Sequence, residues 1–181
     1  MKSYLITPEV SPSYLKSFPS ILKAFRPDYA MYRSRDRAFS REFAALCRAH
    51  NILCFLNSQG VGDGELDSLL PYFDGIHLKG TALSLIADFS AHCMVGFSAH
   101  SPKEVREALC NGASYATLSP IFATPHKGTP IGIESLRALD SHARARTFGL
   151  GGIDTPSKLA QLVQIENLYG FASIRYFLGE V

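Results

Sequence analysis

Short apolar runs alternate with amphipathic stretches from the first residues of the chain to the last. The apolar runs fall at residues 3–7, 29–33, 52–56, 75–78, from Met94 to Ser98, between Gly112 and Ser119, and at 147–151 and 168–173. Runs this short and this uniformly apolar read as strands buried on both faces, the pattern of a parallel sheet. Between them lie helical patterns at residues 14–25, 40–49, 65–70, 82–89, 101–112 and 133–139, and from Thr155 onward. In the second of these, Phe43, Ala44, Leu46 and Cys47 share a face. Pro19 is expected to kink or shorten the first, because it removes a backbone donor inside the helix. Ser101-Pro102-Lys103-Glu104 has the spacing of a capping box with proline at the first helical position, and Thr155-Pro156 opens a helix in the same way.

Strand and helix in strict succession, with no linker between them, imply a compact α/β fold, a closed (β/α)8 TIM barrel, rather than an open doubly wound sheet. The 181 residues allow about 23 per unit, so the expectation is one domain over residues 1–181 with little decoration; typical barrels have about 250 residues. Few residues follow Ser173, so an eighth helix has two turns at most. That leaves the first and last strands thinly covered, a place for a homodimer contact.

Composition narrows the partner more than the fold. The net charge is +2, with acidic and basic residues interspersed, and such a chain has no single-sign field for nucleic acid or a membrane surface. A small molecule is the expected ligand. Cys47, Cys54, Cys93 and Cys110 form no CxxC pair and no metal-ligand spacing, so they read as reduced, mostly packed thiols of a cytoplasmic protein. No apolar run approaches the length of a membrane span, and no leader pattern opens the sequence.

In such a barrel the residues just past each strand's C-terminal end converge on one mouth. The strands deliver Arg33 and Arg35, then Asn57, then Lys79, then Ser98 and His100, then Thr124, His126 and Lys127, then Gly151 and Gly152, and finally Ile174 and Arg175. The glycine pair after strand seven, with a helix beginning right after strand eight, has the makings of a phosphate cradle of backbone N–H groups and a helix N-terminus. Arg33, Arg35 and Lys127 suit a second, more highly charged group such as a diphosphate; the alternative is that they pair with Asp36 and Glu134 at a solvated rim. His100 and His126 are the histidines projected to the mouth, each suited to moving a proton near neutral pH or to positioning a ligand. His77 alternates inside a strand and is expected to be buried and hydrogen-bonded.

These residues together resemble the thiamine phosphate synthase and TenI family of compact barrels. The likeness covers nearly the whole chain and rests on Leu5-Ile6-Thr7, the DGIHL run from Asp74, GFSAHS from Gly96, the long block from Asn111 to Leu136, and GLGGI from Gly149. In the synthases, the resemblance implies, a hydroxymethylpyrimidine diphosphate loses diphosphate and the resulting cation is captured by the nitrogen of a thiazole phosphate. That places the diphosphate near Arg33, Arg35, Asn57, Ser98 and Lys127. The thiazole phosphate falls near Thr124, Gly151, Gly152, Ile174 and Arg175. The synthases hold Mg²⁺ with two aspartates, and at those places this chain has Ser58 and Ala82, with Asp63 in a nearby glycine-rich loop. No metal and no other cofactor is therefore expected, Mg²⁺ entering only on the synthase reading. TenI-like members, which tautomerise a thiazole phosphate without metal, fit that loss, although the histidine they place at the strand-six exit is Ser119 here. The favoured expectation is a TenI-like isomerase using His126, with Lys127 and His100 beside it. The alternatives are a synthase and a non-catalytic binder of a phosphorylated thiazole or thiamine phosphate.

Overall fold

The structure, a computed structural model, describes residues 1–59, 63–124 and 128–179, and of Asp63 the backbone alone. Eight parallel strands close into a barrel in the order of the chain: β1 (Lys2–Ile6), β2 (Tyr29–Tyr32), β3 (Leu53–Asn57), β4 (Gly75–Leu78), β5 (Met94–Ala99), β6 (Tyr115–Leu118), β7 (Thr147–Leu150) and β8 (Gly170–Ser173). β8 returns to β1, with Leu5 beside Ser173.

Alternate residues of each strand divide between two cores, as the pleat requires. Tyr4, Ile6, Tyr29, Met31, Phe55, Tyr115, Phe148 and Ala172 fill the barrel interior. Their neighbours Leu5, Ala30, Tyr32, Cys54, Leu56, Ile76, Val95 and Phe97 face outward into a larger core shared with the helices. Five aromatic rings plug the lower barrel; Tyr4 makes edge contacts with Tyr29 and Tyr115 at 5.5 and 5.6 Å, and Tyr29 stacks on Phe55 at 5.3 Å. Room for that plug comes from glycine on β5: a Cβ at Gly96 would run into the Tyr115 ring and the imidazole of His77.

The helices that cover the barrel are α1 (Pro12–Phe25), α2 (Ser40–Ala49), α3 (Asp63–Leu69), α4 (Ile86–Ser90), α5 (Pro102–Cys110), α6 (Glu134–Arg137), α7 (Ser141–Arg144) and α8 (Pro156–Val163). Ser11, Ser101 and Thr155 each accept a hydrogen bond from the N–H three residues on, and each is followed by proline. α1 runs through Pro19 to Phe25 without the expected shortening; Leu15, Phe18 and Leu22 are buried along it, and that apolar stripe outweighs one missing backbone bond. The helix expected at residues 133–139 is shorter, α6 covering Glu134–Arg137, and a separate, unexpected helix, α7, follows it, capped by Asp140, which accepts from Ala143 N–H at 2.9 Å. After β8 comes a single 3-10 turn, Arg175–Leu178. Its Phe177 stacks on Phe171 at 5.9 Å and meets Phe25 of α1 edge-on at 5.5 Å. The β8–β1 seam is thus covered by aromatic side chains of the chain itself. No helix among the described residues is long and apolar enough to cross a membrane. All four cysteines are free, Cys47 and Cys54 buried and Cys110 exposed.

Candidate active site

Above the aromatic plug, at the C-terminal end of the strands, a cavity of about 440 Å³ opens, within the range that encloses small-molecule ligands. Its floor is Ile6, Met31, His77 and Leu150, and its wall carries Arg33, Asn57, Lys79, Ser98, His100, Thr124, Gly151, Gly152, Ile174 and Arg175. The topology sets the sides. In an eight-strand ring β7 and β8 stand across from β3 and β4, so the glycine pair and Ile174 face Asn57 and Lys79 over the mouth.

On the first side, Gly151 and Gly152 have φ of 98° and 67°, a backbone region that β-carbons oppose. A side chain at Gly152 would also put its Cβ 2.8 Å from that of Phe122. Ser173 Oγ donates to the Ile153 carbonyl at 2.6 Å and accepts from Tyr176 N–H at 3.2 Å, which locks the β7 turn to the turn after β8. Among the described residues no protein acceptor takes the N–H of Gly152 or of Ile174. One of these main-chain donors lies in the glycine turn after β7 and the other at the start of the 3-10 turn after β8, and groups of open backbone N–H donors of this kind suit an anion. Asp154, at the rim, is tied to Lys158 at 2.7 Å.

On the other side, Asn57 is held rigidly: its Oδ1 accepts from Gln59 N–H at 2.9 Å and its Nδ2 lies 3.4 Å from the Met31 sulfur. Arg33 is anchored by its backbone, whose N–H donates to Thr7 Oγ1 at 2.9 Å, and it lines the cavity. Arg35 does not join it. Its N–H donates at 2.9 Å to Glu9, whose carboxylate also takes the Ser34 hydroxyl; those two hydrogen bonds hold Glu9 below the usual carboxylate range. Arg35 therefore belongs to the outer rim. Among the described residues the rim carboxylates take other partners: Glu134 pairs with Arg137, and Asp36 accepts from Ala38 N–H.

His100 lies where the sequence put it. Its Nδ1 stands 3.0 Å from the Ser119 carbonyl, an oxygen that can only accept, so Nδ1 carries a proton and the form with Nε2 free is the neutral tautomer this contact selects. Its own N–H donates to Glu104 Oε2 at 2.8 Å while Ser101 Oγ caps Glu104 N–H. The capping box of α5 thus aims this side chain. Thr124 lines the mouth and turns its hydroxyl to the Phe122 carbonyl. His126 and Lys127, the other two residues expected to act here, lie outside the described residues, as does the side chain of Asp63.

His77 was placed correctly as a buried histidine but belongs to the site as well. Its Nε2 is 2.9 Å from Ser98 Oγ, its Nδ1 3.3 Å from Tyr115 OH, and Tyr115 OH 2.7 Å from Tyr4 OH. Burial lowers its pKa to about 3, so the ring is neutral and one nitrogen donates while the other accepts. A polar chain thus leads from the cavity wall to the centre of the barrel and fixes the Ser98 hydroxyl. Gln59, Lys79 and Ser119 also line the cavity. The signal for His77 and Lys79 was in the sequence: each falls on the inward row of β4, two residues apart, where a polar side chain has only the barrel interior or its mouth to face.

The fold and this cavity define a (β/α)8 barrel whose mouth is lined by a glycine turn and, among the described residues, by Arg33, Lys79 and Arg175. Comparison with known proteins specifies the class: the family described as thiamine monophosphate synthase matches residues 4–175, and the chain belongs to that family. A protein of Aquifex aeolicus (strain VF5), provisionally named thiamine-phosphate synthase 2, is 31% identical over 144 residues, 77% of this chain and 73% of that protein. The thiamine-phosphate synthase of Gloeobacter violaceus is 36% identical over 86 residues, 45% of this chain and 25% of its own length. Against further thiamine-phosphate synthases the match spans from 32% to 53% of their length. The structure of a thiamine phosphate pyrophosphorylase from Pyrococcus furiosus superposes with a TM-score of 0.73 at 20% identity, over 96% of this chain and 85% of that one; at that identity the likeness is one of fold.

Proposed function

We propose that this chain is a transferase of the thiamine-phosphate synthase type, joining a hydroxymethylpyrimidine diphosphate to a thiazole phosphate with release of diphosphate. The carrying observation is the two-sided mouth: a main-chain cradle at Gly152 and Ile174 stands across the cavity from Arg33, Asn57, Lys79 and Ser98. One side suits a monophosphate, the other a diphosphate, and the apolar floor between them suits two flat rings. The names of the relatives favour the same reading. On it, departure of the diphosphate leaves a pyrimidine methylene cation, and the thiazole nitrogen closes the new C–N bond. The protein's task is to hold the two rings in line and to meet the charge growing on the leaving oxygen.

The expected TenI-like isomerase is the second reading. Its assigned base, His126, is outside the described residues, and the observation in its favour is His100, whose neutral tautomer has Nε2 free at the mouth. Both readings are tested together. The chain is incubated with both substrates and thiamine phosphate is measured; the transferase reading expects stoichiometric thiamine phosphate and diphosphate. Conversion of the non-aromatic thiazole phosphate to its aromatic tautomer, with no coupling, replaces it with the isomerase. Binding without either product leaves a non-catalytic phosphate binder.

The family resemblance also implies Mg²⁺, and the donor set does not fit it. Ser58 has a buried hydroxyl without a partner and Ala82 is packed in the core. Among the described residues no group of three His, Cys, Asp or Glu is placed to hold a metal. Hard divalent cations take oxygen ligands, carboxylates foremost.

A further inference from the structure

We propose that Lys79, together with Arg33, supplies to a bound diphosphate the positive charge that a carboxylate-held metal would otherwise bring, so that this chain grips diphosphate without a metal. The inference rests on the reading that a diphosphate sits on the β2–β5 side of the mouth. Among the described residues three cationic residues line the cavity, Arg33, Lys79 and Arg175, against one carboxylate, Asp154. That carboxylate is already neutralised by Lys158 at 2.7 Å. The ion pairs among the described residues use Lys2, Lys103, Arg137 and Lys158, so none of the three lining cations is engaged.

Their order around the ring makes the grip. β2, β3, β4 and β5 are consecutive neighbours in the barrel, and they deliver Arg33, Asn57, Lys79 and Ser98 in that order. An anion seated over the fixed Asn57 amide has a guanidinium on one flank and an ammonium on the other, with the Ser98 hydroxyl beyond. The two cations have complementary uses: the planar fork of arginine matches two phosphate oxygens, and the lysine ammonium is a mobile point charge on a long stem. A concave, partly apolar site focuses such charges on its contents. Lys79 projects there because it continues the inward row of β4 from His77. The same mouth repels a free divalent cation, since its charges have the wrong sign for one.

The test is calorimetric titration of inorganic diphosphate into the full chain in EDTA, repeated with added Mg²⁺, for the natural protein and for Lys79→Gln and Lys79→Arg. Lys79 makes no hydrogen bond or ion pair from its side chain among the described residues, and thermal melts check that both variants stay folded. The expected result is binding in EDTA that weakens with salt, at least tenfold weaker in Lys79→Gln and largely restored in Lys79→Arg. Binding that begins only when Mg²⁺ is added, or a Lys79→Gln protein that binds as tightly as the natural one, overturns the inference. The coupling assay above separates the two layers. Metal-free diphosphate binding with no thiamine phosphate formed sustains the grip and removes the transferase reading; Mg²⁺-dependent coupling with no metal-free diphosphate binding does the reverse.

Discussion

Single side chains set the chemistry of the mouth, and His77 is the clearest of them. Buried without a charge partner, it is held neutral, with its pKa brought from an ordinary 6.5 down to about 3. The unfolded chain binds a proton at that ring near pH 6.5 while the folded chain does not, so stability rises with pH across this window and is complete above it. The stability it contributes is lost as pH falls from about 6.5 toward 3. Urea unfolding at pH 5 and pH 7 is expected to show the loss in the natural protein and a shallower one in His77→Asn. The same replacement frees the Ser98 hydroxyl, whose position depends on His77 Nε2 at 2.9 Å. If the role is positional, Ser98→Ala and His77→Asn lower kcat by similar factors and the double variant is no worse than either alone, since the two act through one contact.

At the same scale Gly152 combines a φ of 67° with backbone and side chain packed where a Cβ would go. Gly152→Ala is expected to destabilise by about 1–3 kcal/mol, read by denaturant midpoint, and to raise KM for the thiazole phosphate more than for the diphosphate substrate.

Among the elements, α5 and α1 show how local signals and tertiary packing divide the work. The α5 capping box does two jobs, closing the helix N-terminus and fixing the His100 backbone through Glu104. Glu104→Ala is expected to lower stability by about 1 kcal/mol, the usual loss for a cap, while Lys103→Ala, an exposed residue of the same turn, leaves it unchanged. Differential melting curves distinguish them. In α1, Pro19 sits inside a helix kept continuous by its buried stripe. Pro19→Ala restores the donor and relieves the ring against the preceding turn; helix interiors disfavour proline by about 3 kcal/mol, partly offset by the greater freedom of the unfolded chain. A net gain of about 1–2 kcal/mol follows, and a lower Tm would show that the Pro19 ring itself packs usefully.

The barrel as a whole explains why so short a chain makes a two-sided site. Closure from β8 back to β1 abolishes the sheet edges, and the aromatic plug raises a floor, so that only the last residue or two of each strand reach a ligand. Strand and helix order, the inward parity of each strand, the cap-and-proline helix starts and the glycine pair all follow from local pattern, because period, capping and φ preference are properties of neighbouring residues. Even Ser11-Pro12 carries the signal of the α1 start, with Tyr14 N–H bonded to Ser11, three residues before the amphipathic pattern begins at residue 14.

The tertiary structure decided what depends on residues far apart in sequence. Arg33 and Arg35 share the inward parity of Tyr29 and Met31, yet only Arg33 lines the cavity, while Glu9, 26 residues away, holds the Arg35 backbone at the rim. His77 became a site residue only when β4 was set beside β5, with Ser98 close enough to bond. Likewise the covering of the last strand by Phe25 and Phe177 in place of a long helix needed the two ends of the chain to meet. Local sequence specifies which side chain leaves which face; only closure of the ring determines which of them share one cavity, because its charge and depth are sums over strands that the chain itself keeps apart.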